Sequence, residues 1–358
     1  MRIGVNALYL IPGGVGGTEI YLRNLLAASD ATRHEWYVFT NQETGHSLAP
    51  AGMHTVLQDV AAVNRPARLI HEQTVLPLEC MRRKIDVLLN PGFTAPVFPP
   101  CPNVTVFHDL QHKRHPEHFR RLDLPAWNAA LFLSARRSKV LIAVSDATRD
   151  DLLRFYRLRP QQIHVVPHGV EPEFFEIGRN RGEVRPYVLC VSTLHPHKNV
   201  ERLVRVFARW RSAHREWHLV LAGMRGFQTR KVEEAIASSE AADSIRMTGW
   251  IPREELYGLY RDAAAFVYPS TFEGFGLPVL EAMAARIPLA CSDIQPLRSI
   301  VAGNAVLFDP HDDGSMLAAL DRVTDAPVDS AQARAREFTW SRCASLTLEA
   351  LSEAVRRE

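Results

Sequence analysis

Two carboxylates, Glu273 and Glu281, stand eight positions apart with Gly274-Phe275-Gly276-Leu277-Pro278 opening the stretch between them. The run before them, residues 264–270 (AAFVYPS), is apolar and closes at Pro269, the pattern of a short buried strand. The run after them, Pro278 through Ala284, carries a proline in its first turn and reads as a helix. Strand, glycine loop and helix in that order place Glu273 outside the carboxyl end of a strand. Parallel α/β sheets bind ligands there, and a helix N-terminus at that spot attracts anions. A carboxylate at Glu273 suits a sugar hydroxyl or a developing positive charge, and Glu281, deeper along the helix, suits ribose hydroxyls. The bare pair has a plainer reading, an acid-rich first helical turn followed by an ordinary surface Glu.

Other strings carry the complementary chemistry. Lys198 is one of five lysines in a chain whose positive charge is mostly arginine; it follows a strand and precedes Asn199, which opens a helix. An ammonium there reaches an anion held at the helix end. Gly13-Gly14-Val15-Gly16-Gly17 follows the first strand and precedes a helix beginning near Glu19, so its backbone N–H groups are open to close approach. It has neither the GxGxxG spacing of a dinucleotide fold nor the P-loop lysine, which disfavours NAD and ATP. Taken singly, it is an ordinary structural turn. His108 and Asp109 end a strand at its carboxyl end, where a neutral imidazole can hydrogen-bond a hydroxyl; a capping pair is the alternative. Gly249-Trp250-Ile251 offers backbone groups for the edge of a base, with core packing the alternative for Trp250.

These residues need a scaffold of alternating strands and helices, and the chain supplies two series of them. In the first, strands are expected at 3–8, 36–40, 87–89, 103–107, 140–144 and 164–166, and helices at 19–29, 124–138 and 147–155, the last capped by Ser145. Residues 171–185, with acids, Pro172, Gly178 and Gly182, read as a linker. The second series has strands at 187–191, 218–222, 245–247, 266–268 and 289–291, with helices at 199–210, 231–238 and 278–284. At 358 residues each half is long enough for its own core.

Composition excludes several classes. With 46% apolar and 23% charged residues the chain is globular, and no window approaches the roughly 18 uncharged apolar residues of a spanning helix. Residues 2–10 are too short for a signal peptide and read as a strand, so the cytoplasm is the expected compartment. The five cysteines show no CxxC pairing, against a disulfide framework or zinc site. Net charge is +2 but uneven: residues 1–170 hold 19 Lys and Arg against 14 Asp and Glu, and the remainder 23 against 26. No nucleic-acid partner is expected from this balance. Arg82-Arg83-Lys84 and Arg136-Arg137-Ser138-Lys139 could face anionic lipid or an anionic acceptor, or be solvated helix faces.

The string EGFGLPVLE at 273–281 resembles the E-x7-E signature of retaining GT-B glycosyltransferases, specifically glycosyltransferase family 4. Family-like strings follow in register at 13–19, 107–110, 165–170 and 191–199, so the resemblance covers nearly the whole chain. It implies two Rossmann-like, doubly wound parallel-sheet domains facing a central cleft. Residues 1–175 would bind the acceptor, 176–338 the nucleotide sugar, and the final helix, 339–358, would cross back to the first domain. It also implies catalytic roles for His108, Glu273 and Lys198. Donor contacts would come from Gly16, Gly17 and Asp109, from Thr193, Lys198 and Asn199, from Gly249, Trp250 and Ile251, and from Phe275, Gly276, Leu277 and Glu281. Many relatives carry Arg where this chain has Thr193, so Arg202 or a protonated His197 is a candidate second cation.

Without a DxD motif, no metal and no cofactor are expected, the nucleotide-diphosphate sugar being a co-substrate. The resemblance implies retention of configuration with no covalent sugar–enzyme intermediate. The strings HDLQHKRHPEHF (108–119) and LHPHKN (194–199) look most like mannosyltransferases of O-antigen and exopolysaccharide assembly, which implies GDP-mannose as donor and a saccharide or lipid-linked saccharide as acceptor. Peripheral contact at the inner face of the membrane through the basic first half belongs to the same expectation. Another UDP- or GDP-sugar donor, a GT-B UDP-sugar epimerase and a non-catalytic sugar-nucleotide-binding scaffold are the alternatives.

Overall fold

The computed structural model describes residues 1–14 and 16–357. Two units divide the chain: Met1–Gly169 with Trp340–Glu358, and Val170–Thr339. The first unit is built on seven strands: β1 (Arg2–Asn6), β2 (Glu35–Thr40), β3 (His54–Leu57), β4 (Val87–Asn90), β5 (Asn103–Phe107), β6 (Val140–Ala143) and β7 (Ile163–Val165). All pairs are parallel, in the order β3-β2-β1-β4-β5-β6-β7. The second has six parallel strands: β8 (Arg185–Val191), β9 (His218–Ala222), β10 (Ile245–Gly249), β11 (Ala263–Tyr268), β12 (Leu289–Ser292) and β13 (Val306–Phe308). Their order is β10-β9-β8-β11-β12-β13. Helices cover both faces of such sheets, so central strands such as VLLN, NVTVF and VLIA are buried along their whole length. In each sheet the order reverses once, between β1 and β4 and between β8 and β11. Those are the two crevices where a ligand is expected.

Local signals account for much of the scaffold. Ser145 caps the helix Asp146–Tyr156, its hydroxyl accepting from the Thr148 N–H at 3.1 Å. The final helix, Trp340–Arg356, lies in the first unit, buries Cys343, Thr347 and Leu351, and pairs Glu353 with His164 at 2.8 Å.

The expected linker is a correction. The units meet at Gly169/Val170 rather than after residue 175, and Pro172–Arg179 is a helix. Pro172 occupies its first turn, where a missing N–H costs nothing, and Phe174 and Ile177 turn inward. Gly178 is there for close approach, since a Cβ would lie 2.6 Å from the Ala284 carbonyl oxygen. Other elements went unread, among them β3 and β13, which are short, the helices Arg253–Asp262, Asp313–Arg322 and Val328–Ala335, and the helix Arg65–Arg83, whose Pro66 and Pro77 disguise it.

Candidate functional site

In the second unit the switch point between β8 and β11 gathers the charged residues. Pro196–Lys198 forms one 3₁₀ turn after β8, and the loop after β11 is stapled to it: the Thr271 N–H donates to the His197 carbonyl at 2.7 Å, and the buried Ser270 hydroxyl lies 3.0 Å from the same oxygen. That staple brings Lys198 Nζ to 2.5 Å from Glu273 Oε1 and 2.9 Å from the Tyr268 hydroxyl. The side chains of Lys198 and Glu273 are 15% and 9% exposed, so the pair is largely out of water and each charge depends on the other. Burial first and the Glu273 charge second push the Tyr268 phenol far above its usual range, so it stays neutral.

Gly276 makes the following turn. Its φ of 118° is closed to other residues, and a Cβ would sit 2.4 Å from Leu297 Cδ2. Leu277–Ala284 is a helix with Pro278 in its first turn, so its N-terminal amides begin within the loop that carries Glu273. Phe275 and Leu277 are buried beside that turn.

Glu281 is held from the protein side. It is 4% exposed; one oxygen accepts from Arg253 Nη2 at 3.0 Å and the other from the Tyr260 hydroxyl at 2.7 Å. Arg253 also binds Glu171, whose carboxylate accepts from Tyr257 at 3.0 Å. Burial opposes the Arg253 charge, but Glu281 and Glu171 more than offset it and raise its pKa. Arg253, Tyr257, Tyr260, Glu171 and Tyr268 were all missed from the sequence. The first three lie on the helix Arg253–Asp262, where Tyr260 is buried and Arg253 and Tyr257 are half-buried.

The other donor-side residues scatter in role. Asn199 adopts a left-handed conformation (φ 56°) and donates through its side chain to the Pro310 carbonyl at 2.8 Å, which anchors the start of the helix Val200–Arg211. Thr193 is half-buried, its carbonyl accepting from the His195 N–H at 2.8 Å. Neither candidate second cation is poised for a ligand: Arg202 is paired with Asp313 at 2.8 Å, and His197 is buried against His195 and Phe272. Gly249 ends β10 with φ 70°, Trp250 is 63% exposed rather than packed in the core, and Ile251 is half-buried.

In the first unit the residues at the carboxyl ends of β1, β4 and β5 are neutral or internally paired. His108 is 8% exposed and its Nε2 meets the Pro91 carbonyl at 3.0 Å. A carbonyl only accepts, so Nε2 carries the proton and Nδ1 is the acceptor nitrogen. Burial lowers its pKa to about 4, so the ring is uncharged at neutral pH. Tyr21 and Phe93 pack edge-on to it, with ring centres at 4.9 and 5.3 Å. The Asp109 carboxylate accepts from the Gln111 N–H at 2.9 Å, a capping contact for the turn that follows. Gly16 (φ 58°) and Gly17 lead into the helix Gly17–Ala28, and the Gly13 N–H donates to Glu19 at 2.7 Å; Val15 lies outside the described residues. A buried network also missed from the sequence lies beside this loop: Glu72 accepts from Asn6 at 3.0 Å and from Thr94 at 2.8 Å.

Among the described residues no helix is long and apolar enough to cross a membrane. Two parallel α/β units, with a desolvated Lys–Glu pair at the switch point of the second, define a class of ligand-binding α/β protein.

Comparison with known proteins makes the class definite. Residues 173–339 match the family described as glycosyl transferases group 1, and residues 15–174 match Glycosyltransferase Family 4. The chain is 28% identical over 265 residues to O-antigen chain mannosyltransferase B of Escherichia coli, covering 69% of each. It is 26% identical over 220 residues to the O-antigen chain mannosyltransferase RfbU of Salmonella typhimurium, covering 62% of this chain but only 60% of that protein. Among solved structures, the sucrose-phosphate synthase of Thermosynechococcus elongatus superposes over 100% of both chains with a TM-score of 0.80 at 18% identity. The chain belongs to glycosyltransferase family 4, with the GT-B fold of that family.

Proposed function

We propose that this protein is a retaining glycosyltransferase that moves a sugar, in first place mannose from GDP-mannose, to a saccharide or lipid-linked saccharide in cell-surface polysaccharide synthesis. The observation that carries the reading is the Lys198–Glu273 pair at 2.5 Å on the switch point of the second unit. A diphosphate arriving there competes with Glu273 for the ammonium and gains the N–H groups of Gly276 and Leu277 at the helix start. Released from Lys198, the Glu273 carboxylate faces the sugar as its ring gains positive charge. The bond from the anomeric carbon to the phosphate oxygen breaks, the bond to the acceptor oxygen forms on the same face, and the acceptor proton passes to the departing diphosphate. Cation and amides do the work of a metal, so none is required for transfer, and no cofactor is. Neutral His108, its Nε2 proton already given to the Pro91 carbonyl, accepts a hydrogen bond from a hydroxyl at Nδ1. Both mannosyltransferase relatives support mannose. Incubation with GDP-mannose, other GDP-sugars and UDP-sugars, following nucleotide release, is the test; release from UDP-sugars alone would overturn GDP-mannose, and free rearranged sugar nucleotide without acceptor would overturn transfer.

A lipid-linked acceptor agrees with a surface of the first unit. The helix Arg65–Arg83 exposes Ile70, Leu78 and Met81, and Phe98 is 79% exposed. The intervening loop ties this helix to Leu124–Arg137: Gln73 accepts from the Val97 N–H at 2.8 Å, Ser134 from the Ala95 N–H at 3.0 Å, and the Arg137 guanidinium lies 5.4 Å from the Phe98 ring centre. Arg82, Lys84, Arg136 and Lys139 are exposed on the same elements or at their ends. Apolar side chains rimmed by basic ones suit peripheral contact with anionic lipid.

A further inference from the structure

The segment after His108-Asp109 contains chemistry that sugar transfer does not use. Leu110 opens a short helix, Gln111–Arg114, and Pro116 then begins the 3₁₀ turn Pro116–His118. Hydrogen bonds from the His118 N–H to the His115 carbonyl (3.1 Å) and from Phe119 to Pro116 (3.1 Å) fix that turn. In 3₁₀ geometry residues three apart eclipse one another. The rings of His115 and His118 accordingly stack, with centres 5.2 Å apart and planes 11° from parallel. Glu117, between them in sequence, turns one oxygen to both: Oε1 is 3.0 Å from His115 Nδ1 and 3.8 Å from His118 Nε2. The three ligand atoms all lie within 4.8 Å of one another.

The charged and aromatic neighbours point elsewhere. His112 Nε2 meets the Tyr156 hydroxyl at 2.8 Å, Arg114 is paired with Asp151, and the Lys113 ammonium lies 5.7 Å from the Tyr156 ring centre. The cluster presents two imidazoles and one carboxylate. Zinc takes nitrogen and carboxylate ligands at about 2.0–2.2 Å, which makes the edge of a tetrahedral site about 3.3 Å. The two separations from Glu117, 3.0 and 3.8 Å, bracket that edge, and with all three ligand atoms within 4.8 Å of one another side-chain rotation closes the third.

We propose that His115, Glu117 and His118 form a zinc-class divalent metal site, with water at the fourth position, that clamps the turn after His108-Asp109. The ion is structural: it closes the turn Pro116–His118 and takes no part in transfer. Three ligands within four consecutive residues make a partly exposed site whose affinity is set by the rigidity of Pro116 and the stacked rings.

The test uses the full chain without an affinity tag, stripped by chelator and titrated with zinc chloride by calorimetry, with cobalt(II) absorption as a second readout. One equivalent should bind, raise the melting temperature and give a visible cobalt band. His115→Ala/His118→Ala should weaken that equivalent at least tenfold, and Glu117→Gln, a change at a 61% exposed side chain that leaves the fold alone, should weaken it too. Nucleotide affinity should be the same in all three proteins, which separates this site from the donor site. The proposal is overturned if the wild-type chain binds no equivalent, or if the double variant binds it as tightly.

Discussion

Lys198 and Glu273 in the second unit meet as full charges with little water around them, whereas His108, at the carboxyl end of a strand in the first unit, is held without charge. The two sheets share a topology and even a switch point, yet their loops solve opposite electrostatic problems. The second unit spends a buried ion pair, a neutral phenol and a helix start on handling charge. In the first unit the ligand-side groups are an uncharged imidazole edged by Tyr21 and Phe93, and carboxylates already hydrogen-bonded internally, such as Glu72 and Glu19. Groups of this kind suit hydroxyls rather than anions. A donor with a diphosphate and an acceptor rich in hydroxyls would need this division of labour.

Removing the negative half of the ion pair breaks the comparison hardest. Glu273→Gln should lower turnover by about 10²–10³-fold, the range found when one group facing a developing charge is lost. Nucleotide-diphosphate affinity should hold or tighten, because Lys198 is then free of its internal competitor. Steady-state kinetics and calorimetry on one preparation decide it: a variant that turns over normally, or that loses nucleotide affinity, would mean Glu273 does not face the sugar.

The positive half is next in size. Lys198→Ala should weaken nucleotide-diphosphate binding by about 2–3 kcal/mol, the worth of a charge-assisted contact with a desolvated cation. It also leaves Glu273 at 9% exposure without its partner, so the melting temperature should drop as well. Unchanged affinity in a folded variant sinks the phosphate assignment.

The neutral half gives a pH-dependent effect, spread over more than two pH units. His108 and His112 each have a pKa lowered to about 4 by burial, from an unfolded value near 6.5. Between these values the unfolded chain binds the protons and the folded chain does not. Stability is therefore full above pH 6.5 and is lost as pH falls towards 4, by at most about 1.4 kcal/mol per pH unit for each histidine. Denaturant unfolding at stepped pH measures the slope, and NMR of the imidazoles reports the site directly. A His108 signal that titrates near pH 6.5 would remove the contrast between the units.

How far the sequence revealed this contrast differs between the units for a physical reason. Glu273, Gly276 and Lys198 are legible because each sits where a strand pattern stops and a helix pattern starts, and Gly276 is demanded by its φ of 118°. Central strands are legible because burial on both faces makes them continuously apolar. What escaped is polar residues facing inward. Tyr260 is buried and Arg253 and Tyr257 half-buried in the stretch REELYGLYRD, which reads as a solvated helix, and only the fold shows that Arg253 bridges Glu171 and Glu281. Gly178 and Pro172 read as linker punctuation, although one answers a carbonyl contact and the other a helix start. Glu72 escaped likewise, as a carboxylate buried with Asn6 and Thr94 inside a helix interrupted by proline.

The smallest expected effect is no effect on transfer at all. If Lys198 and the N–H groups of Gly276 and Leu277 carry the diphosphate charge, EDTA should leave turnover unchanged, since no divalent ion bridges the phosphates. The same treatment should lower the melting temperature of zinc-loaded protein by stripping the His115–Glu117–His118 cluster. Stability and activity then separate under one reagent. Loss of transfer restored by magnesium or manganese would show that the charged half of the comparison is incomplete without an ion. Loss restored only by zinc, and absent in His115→Ala/His118→Ala, would instead tie the neutral unit's turn to catalysis.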